Sequence, residues 1–401
     1  MLKNRPLYLD NDEIRVIFCA GLIFNQVKEM RFTIERANLL KTLSHVQSIV
    51  EKRNTIPVLS NVRIEALDDG ISFKATDMDT EITEMADAKI TEQGATTAPA
   101  HMLYDIVRKL SDGSQVELIY PDDKGQLTIS SGRSKFSLST IAVEDFPVIS
   151  GDKLPTSFVM AKDELKDVID RTQFAMSTEE TRYYLNGLFV HAKVDGSSEV
   201  LRIVATDGHR LACVETPLPK GAKDLKGVII PRKTVAEIRK LLDDNAVENV
   251  TIEVSENKVR FSITDITLTS KLIDGTYPDY ERVIPTDNDK ALELKVKDLA
   301  AAVDRVSVVA ERTRAIKMLT NKNKITIVTS SPDLGSASED LEAQYDHEAL
   351  EIGYNFRYLL DILAEIKGET VKISFADAAS PSVIHDTADA SAIYVLMPMR
   401  I

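Results

Sequence analysis

The string Thr206-Asp207-Gly208-His209-Arg210 sets a carboxylate, an imidazole and a guanidinium side by side, and is the part of this chain best equipped for chemistry. Acid–base catalysis would require Asp207 and His209 to converge on one reacting atom. Asp-Gly is instead a turn signal, and a turn here leaves His209 and Arg210 to shape a surface. The six histidines show no His-x-x-x-His spacing of the kind that holds zinc. No nucleophile elbow, phosphate-binding loop or dinucleotide fingerprint occurs. The surface reading is preferred to a hydrolase built on Asp207 and His209, and no catalytic residue, metal or cofactor is expected.

The other unusual string is the tail, Tyr394-Val395-Leu396-Met397-Pro398-Met399-Arg400-Ile401. Chain ends are usually polar and frayed, whereas this one is apolar to its last residue. A final strand accounts for residues 394–396. Pro398 cannot donate to a ladder, so residues 397–401 are expected to leave the sheet. Two methionines beside a proline suit an adaptable apolar surface that accepts several partners.

These residues must be carried by a scaffold, and the scaffold is repetitive. Phe32, Phe158 and Leu292 each open a strand-then-helix segment. At offsets of 7, 11 and 14 from each follow Leu39, Leu43 and Val46; Leu165, Ile169 and Thr172; and Leu299, Val303 and Val306. The starts lie 126 (158 − 32) and 134 (292 − 158) residues apart, so the repeat is a domain and not a solenoid unit. A second helix recurs at 101–110, 231–242 and 355–366, with apolar residues three and four apart. Alternating runs at 115–120, 126–130 and 135–139 read as strands, with a turn at 122–125. The same pattern returns at 249–254, 258–263 and 267–272, and again from Glu369. Ala75-Thr76-Asp77 echoes Ala205-Thr206-Asp207 in the same phase. The expectation is an α+β fold of three similar domains, at 30–153, 154–285 and 286–401, preceded by an extension at 1–29 outside the fold. Similar domains joined head to tail can pass the same contact on to a second chain, and close a ring if the rotation allows.

Composition narrows the function. The net charge is −14, from 49 Lys and Arg against 63 Asp and Glu. That argues against a sequence-specific DNA binder, which gains affinity from cations on phosphates, but leaves room for a protein held on DNA by topology. Residues 14–24 form the longest apolar run, about half the ~20 residues a membrane helix needs. Cys19 and Cys213 make no disulfide framework, so a reducing, cytoplasmic setting without membrane contact is expected.

Several strings carry a resemblance. Arg182-Tyr183-Tyr184-Leu185-Asn186-Gly187, the stretch from Ala205 through Asp207 to Ala212, Tyr277-Pro278-Asp279-Tyr280, the run from Gly132 to Thr140 and the tail together resemble the beta subunit of bacterial DNA polymerase III, the sliding-clamp family. The resemblance runs in order from residue 30 to 401. It implies a homodimer of two chains closed head to tail into a six-domain ring on double-stranded DNA, without sequence specificity. It implies DNA contacts at Lys41, Arg53, Arg182, Tyr183, Tyr184, Arg232 and Lys233. His101-Met102 departs from a basic pair of the family, which puts a DNA contact there in doubt.

The same resemblance implies a docking pocket for short motifs of the replicative polymerase, the clamp loader and other clamp-binding proteins. Its positions are Leu185, Thr206, Gly208, His209, Arg210, Leu211, Pro278, Arg282, Val283, Asn355, Tyr358, Ser382, Val395, Leu396, Met397, Pro398, Met399, Arg400 and Ile401. The dimer contact it implies sets Phe136 and Leu138 against Val308 and Val309. Arg108, Arg133 and Lys135 would face Glu339, Asp340 and Glu342, orienting the contact more than driving it. The chain would confer processivity without catalysis of its own. A three-domain scaffold that never encircles DNA is the alternative.

Overall fold

The computed structural model describes residues 30–121, 125–149, 154–196, 198–243, 247–310, 314–332 and 334–400. The extension expected at 1–29, most of the turn expected at 122–125 and Ile401 lie outside them. The first copy runs β1 (Met30–Glu35), α1 (Arg36–Ile49), β2 (Asn61–Leu67), β3 (Gly70–Thr76), β4 (Thr80–Ala86), β5 (Lys89–Glu92), β6 (Gly94–Pro99), α2 (Ala100–Lys109), β7 (Gln115–Tyr120), β8 (Gln126–Ser131) and β9 (Ser134–Ser139). The second runs β10 (Thr156–Ala161), α3 (Lys162–Gln173), β11 (Gly187–Asp195), β12 (Ser198–Thr206), β13 (Arg210–Pro217), β14 (Val228–Pro231), α4 (Arg232–Leu241), β15 (Asn249–Val254), β16 (Lys258–Ile263) and β17 (Ile266–Lys271). The third runs β18 (Lys290–Lys295), α5 (Val296–Ser307), β19 (Ala315–Asn321), β20 (Lys324–Ser331), β21 (Gly335–Glu342), β22 (Glu351–Asn355), α6 (Phe356–Ala364), β23 (Thr370–Phe375), β24 (Ser382–Asp386) and β25 (Ala392–Leu396).

In every copy both helices start at the residue after a strand ends. The offsets explain why: a strand alternates its faces, and a helix entered directly from it continues one apolar stripe at helical spacing. All nine residues at offsets 7, 11 and 14 are buried. Thr172 is tolerated there because its hydroxyl donates to the Val168 carbonyl, 2.6 Å away. Within each copy the two helices pack against each other.

The chain forms two compact units, and the hairpin segment 76–84 belongs with residues 147–401 while 30–75 and 85–146 form the other. In the first unit β5-β1-β7-β8-β9 make one sheet, and β3, β2 and β6 pair in that order. In the second unit, β10-β15-β16-β17 continues into β4, with Ile266 opposite Glu84 and Ser270 opposite Thr80. A second sheet runs β14-β11-β12-β13-β25-β24-β23-β18, and a four-stranded sheet runs β21-β20-β19-β22.

Charges also link the second copy to the third. Arg171 of α3 is buried and reaches Asp389 at 3.0 Å, Ser391 at 3.0 Å and its own helix's Asp167 at 3.3 Å. Lys367 bonds Asp167 from the other side. Glu365 sits among these groups, and burial, then Asp170 and Asp167, push its carboxyl up to about 7, against the pull of Arg171 and Lys367. A raised carboxyl binds its proton more tightly in the folded chain, so ionising it costs stability as pH climbs from the ordinary value near 4.5 through about 7. Glu365→Gln should therefore leave urea stability unchanged at about pH 4 and add on the order of 2 kcal/mol at about pH 8.

Candidate functional site

Thr206 ends β12 and its hydroxyl donates to the Arg210 carbonyl (2.6 Å) while accepting from the Gly208 amide (3.1 Å). Asp207 Oδ1 accepts from the amides of His209 (2.9 Å) and Arg210 (3.0 Å). The carboxylate is thus occupied in holding a turn, as the Asp-Gly signal implied. Gly208 has φ +86° and belongs there because the left-handed region is open to glycine. The echo at residues 75–77 folds alike: Thr76 bonds the Thr80 carbonyl and the Met78 amide, and Asp77 takes the Asp79 and Thr80 amides.

The turn presents its side chains to the third copy. The His209 ring stacks near Tyr358 of α6, with centroids 6.2 Å apart and planes 21° from parallel. Arg210 lies between the rings of Phe174 (5.0 Å) and Tyr358 (4.3 Å). Its Nε bonds Asp207 Oδ2 (3.2 Å), Nη1 bonds Asp361 (2.5 Å) and Nη2 donates to the Phe174 carbonyl (2.5 Å). Arg210, implied for peptide docking, thus donates from all three nitrogens within the chain, and its side chain is 10% exposed.

The tail runs beside this turn. β13 and β25 are antiparallel neighbours, with Leu211 opposite Val395 and Arg210 opposite Leu396. The strand ends at Leu396, as Pro398 required. The tail nevertheless stays attached: the Met397 amide donates to the His209 carbonyl (2.9 Å) and the Met399 amide to Gly353 (2.8 Å). Pro398, with no N–H, falls between these two bonds. Met397 and Met399 are exposed, and residues 398–400 line a hollow of about 440 Å³ with Lys317, Glu351, Gly353, Ala378 and Ala379.

Leu185, Val204, Leu211, Cys213, Ile229, Tyr277, Tyr280 and Val395 form an apolar cluster that serves as the floor beneath this turn and tail. Burial pushes the Cys213 thiol up to about 12 and keeps it unreactive. Leu396 and Ser382, also implied for docking, are wholly buried. Ser382 shares a 2.5 Å hydrogen bond with the Tyr354 hydroxyl. Asn355 caps α6 by accepting from the Arg357 amide at 3.1 Å. One lip is the segment holding Pro278, Arg282 and Val283, where Val283 is 51% exposed and Arg282 pairs with Asp279 at 2.7 Å. That lip is anchored from below. The Tyr280 hydroxyl meets His191 Nε2 (2.8 Å) and Arg202 (3.1 Å), and Glu281 takes Arg202 (2.5 Å) and Lys193 (2.6 Å). Burial lowers the His191 imidazole and raises the Tyr280 phenol to about 12, while the Lys193 hydrogen bond lowers Glu281.

Models of the DNA polymerase III beta subunit match three successive stretches: its N-terminal domain at 30–150, central domain at 159–279 and C-terminal domain at 281–400. The chain belongs to the DNA polymerase III beta subunit family. Curated relatives agree. The beta sliding clamp of Caulobacter vibrioides (strain NA1000 / CB15N) is 51% identical over 373 residues, 93% of this chain and all of the relative. That of Escherichia coli K12 is 36% identical over 376 residues, with the same coverage. Among solved structures, the C. crescentus beta sliding clamp with PEG bound superposes with a TM-score of 0.91 at 50% identity, covering 93% of this chain and 99% of that one. A sliding clamp from Bartonella birtlesii bound to griselimycin gives 0.90 at 45%, covering 93% and 100%.

The beta-subunit positions implied for DNA have varied surroundings. Lys41 on α1, Arg53 and Arg232 at the start of α4 are exposed. Tyr183 is 52% exposed and meets Tyr184 edge-on at 5.8 Å, whereas Tyr184 packs against the apolar floor. Arg182 pairs with Glu179 at 2.7 Å and Lys233 with Asp77 at 2.5 Å, so both cations already have a carboxylate partner. His101 is not offered to a ligand: its ring nitrogens bond Gln47 (2.8 Å) and the Val50 carbonyl (3.0 Å).

Of the beta-subunit residues implied for the dimer, Lys135 and Phe136 are exposed on β9 and Arg133 in the turn just before it. Leu138, two residues on and so on the same strand face as Phe136, is 5% exposed. Phe136 and Arg133 border a groove of about 920 Å³ that also takes in Met102, Ile106 and Leu110. Val308 is 72% exposed in the turn after α5, and Val309 is half-buried beside it. Three charges expected to orient the dimer contact also have partners in their own chain: Glu339 has Arg305 (3.0 Å), Asp340 has Lys324 (2.7 Å) and Arg108 has Asp105 (3.0 Å). Glu342 is exposed.

Sequence reasoning missed Phe174, Asp361 and Asp77, each of which holds a residue it had singled out. Asp77 was within reach, since the Ala-Thr-Asp echo marks it as the counterpart of Asp207. Phe174 and Asp361 carry no local signal. Gly208→Ala would force a side chain to φ +86°, with its Cβ 2.6 Å from Arg182 Nη1. The variant should lose about 1–2 kcal/mol in urea unfolding.

Proposed function

We propose that this sliding-clamp homologue acts as a homodimeric ring, closed head to tail around duplex DNA, that tethers the replicative polymerase and other partners without catalysis of its own, in the cytoplasm. One observation carries the ring reading. The second copy's β17 pairs with β4 of the first copy, and the third copy's β25 pairs with β13 of the second. In each joint the last strand of one copy meets the third strand of the preceding copy's first triplet. Applied once more, the rule leaves β21 of the third copy and β9 of the first, and each is an edge strand with one neighbour. An exposed edge of unpaired amides and carbonyls is a template for another strand. Pairing β21 with β9 of a second chain satisfies both, and a heterologous contact repeated in both directions closes the ring.

Chemistry at the two edges supports the pairing. β9 carries Lys135 and Phe136, with Arg133 in the turn before it, while β21 carries Glu339, Asp340 and Glu342. The groove by Phe136 gives Val308 of the partner subunit an apolar seat. Because Glu339 and Asp340 already have cations, the charges orient the joint and apolar burial drives it. Domain limits at 30–153, 154–285 and 286–401 fit this rule, as each copy then contributes one donor strand and one acceptor strand.

Retention on DNA then rests on closure. Contacts to phosphates from Lys41, Arg53, Arg232 and Tyr183 need only be weak and blind to sequence. Partners dock by short apolar segments in the cleft between the His209 turn, the Pro278–Val283 lip and the tail, and tethering raises their local concentration. Polymerase, clamp loader and other motif-bearing proteins would share this site.

Two experiments test the reading. Protein placed by a cognate loader and ATP on nicked circular plasmid should be lost rapidly when the circle is cut once, and kept on the uncut circle. Equal retention on both would favour a scaffold that never encircles DNA. Val308→Asp with Val309→Asp should convert dimers to monomers by light scattering, and persistent dimers would displace those residues from the joint.

A further inference from the structure

Arg210 is among the positions implied for docking, yet its nitrogens are spent inside the chain. Its bonds sort into two groups. Asp207 and the Phe174 carbonyl belong to the second copy, as does Arg210 itself. Asp361 and the Tyr358 ring belong to α6 of the third copy. Tyr358 and Asp361 stand three apart on that helix and so share a face. The carboxylate therefore grips Arg210 end-on while the ring covers its plane.

We propose that Asp361 is a positioning residue of the docking cleft: by holding Arg210 between Phe174 and Tyr358, it sets the spacing between the His209 turn and α6. This rests on the docking reading, in which His209 and Tyr358 are two of the cleft's walls. The turn also holds the tail, because the His209 carbonyl accepts the Met397 amide. Losing the Asp361 charge leaves Arg210 with no charged partner in the third copy among the described contacts, and the ring alone cannot fix the separation. A gap of 0.5–1 Å in an apolar contact forfeits roughly a quarter to a half of its attraction. Peptide anchors spanning both walls would register the change. Asp361 touches no peptide in this account, and its side chain is 44% exposed, so its replacement spares the core.

The test uses the full chain and a fluorescein-labelled linear peptide with leucine and phenylalanine anchors, read by anisotropy. Asp361→Asn should bind it roughly 5- to 20-fold more weakly than the wild type. Asp361→Glu should recover most of the loss. In Arg210→Lys, which keeps the charge and loses the fork, adding Asp361→Asn should cost little more. Asp389→Asn is the control for loosening in general, because it removes charge from another link between the same two copies, Arg171 to Asp389. It should bind as the wild type does. Hydrogen exchange should quicken at residues 207–210 in Asp361→Asn and stay unchanged in Asp389→Asn. Unaltered affinity in Asp361→Asn beside firm wild-type binding would overturn this proposal alone, and so would equal weakening by Asp389→Asn. Failure of the wild type to bind the peptide would overturn the docking reading and this proposal with it.

Discussion

Five antiparallel residue pairs, from Arg210 with Leu396 to Val214 with Ala392, carry one sheet from the second copy into the third, and the proposed docking cleft depends on them. Main-chain amides and carbonyls at a strand edge must be satisfied somewhere. A sheet that continues through a domain boundary satisfies them without a side chain. The joint also dictates which residues meet. With Leu211 opposite Val395, the turn before β13 and the tail after β25 emerge together at one end of the ladder. His209 can then accept from Met397, and both odd strings of the sequence become walls of one depression.

Charge and apolar packing then divide the work around that joint. Arg210 and Arg171 each collect carboxylates from both copies and hold them at bonding distance. The floor of Leu185, Leu211, Tyr277 and Val395 gives the depression its apolar character. The lip is kept open from below by Tyr280 and Glu281, whose partners lie on β11 and β12. Two cations implied for DNA, Arg182 and Lys233, pair with carboxylates of their own chain, which favours a weak hold on nucleic acid. A protein retained by closure, and not by grip, needs no more than that.

Use of one design three times explains an economy of surface. Each copy offers one donor strand and one acceptor strand, and two of the three pairs of edges are filled within a chain. The hairpin segment 76–84 lies with residues 147–401 because β4 is the acceptor for β17. The same logic accounts for the likeness of the Thr76-Asp77 and Thr206-Asp207 turns. Each precedes the strand that accepts the next copy, and each needs its carboxylate to close the backbone tightly before that strand begins.

The order of elements was legible from residue types alone, because period and offset are properties of a single strand or helix. Offsets of 7, 11 and 14 marked nine buried positions, the Asp-Gly pair marked a turn, and Pro398 marked the end of β25. Family resemblance named the cleft residues, yet not their roles. The burial of Leu396, Ser382 and Leu138, the internal partners of Arg210 and the bonds of His101 to Gln47 and Val50 carry no local signal. Those outcomes depend on groups brought close from far along the chain: Asp361 is 151 residues from Arg210, and Asp77 is 156 from Lys233. A cation's availability is decided by which carboxylate folding places beside it, and only the tertiary structure makes that choice.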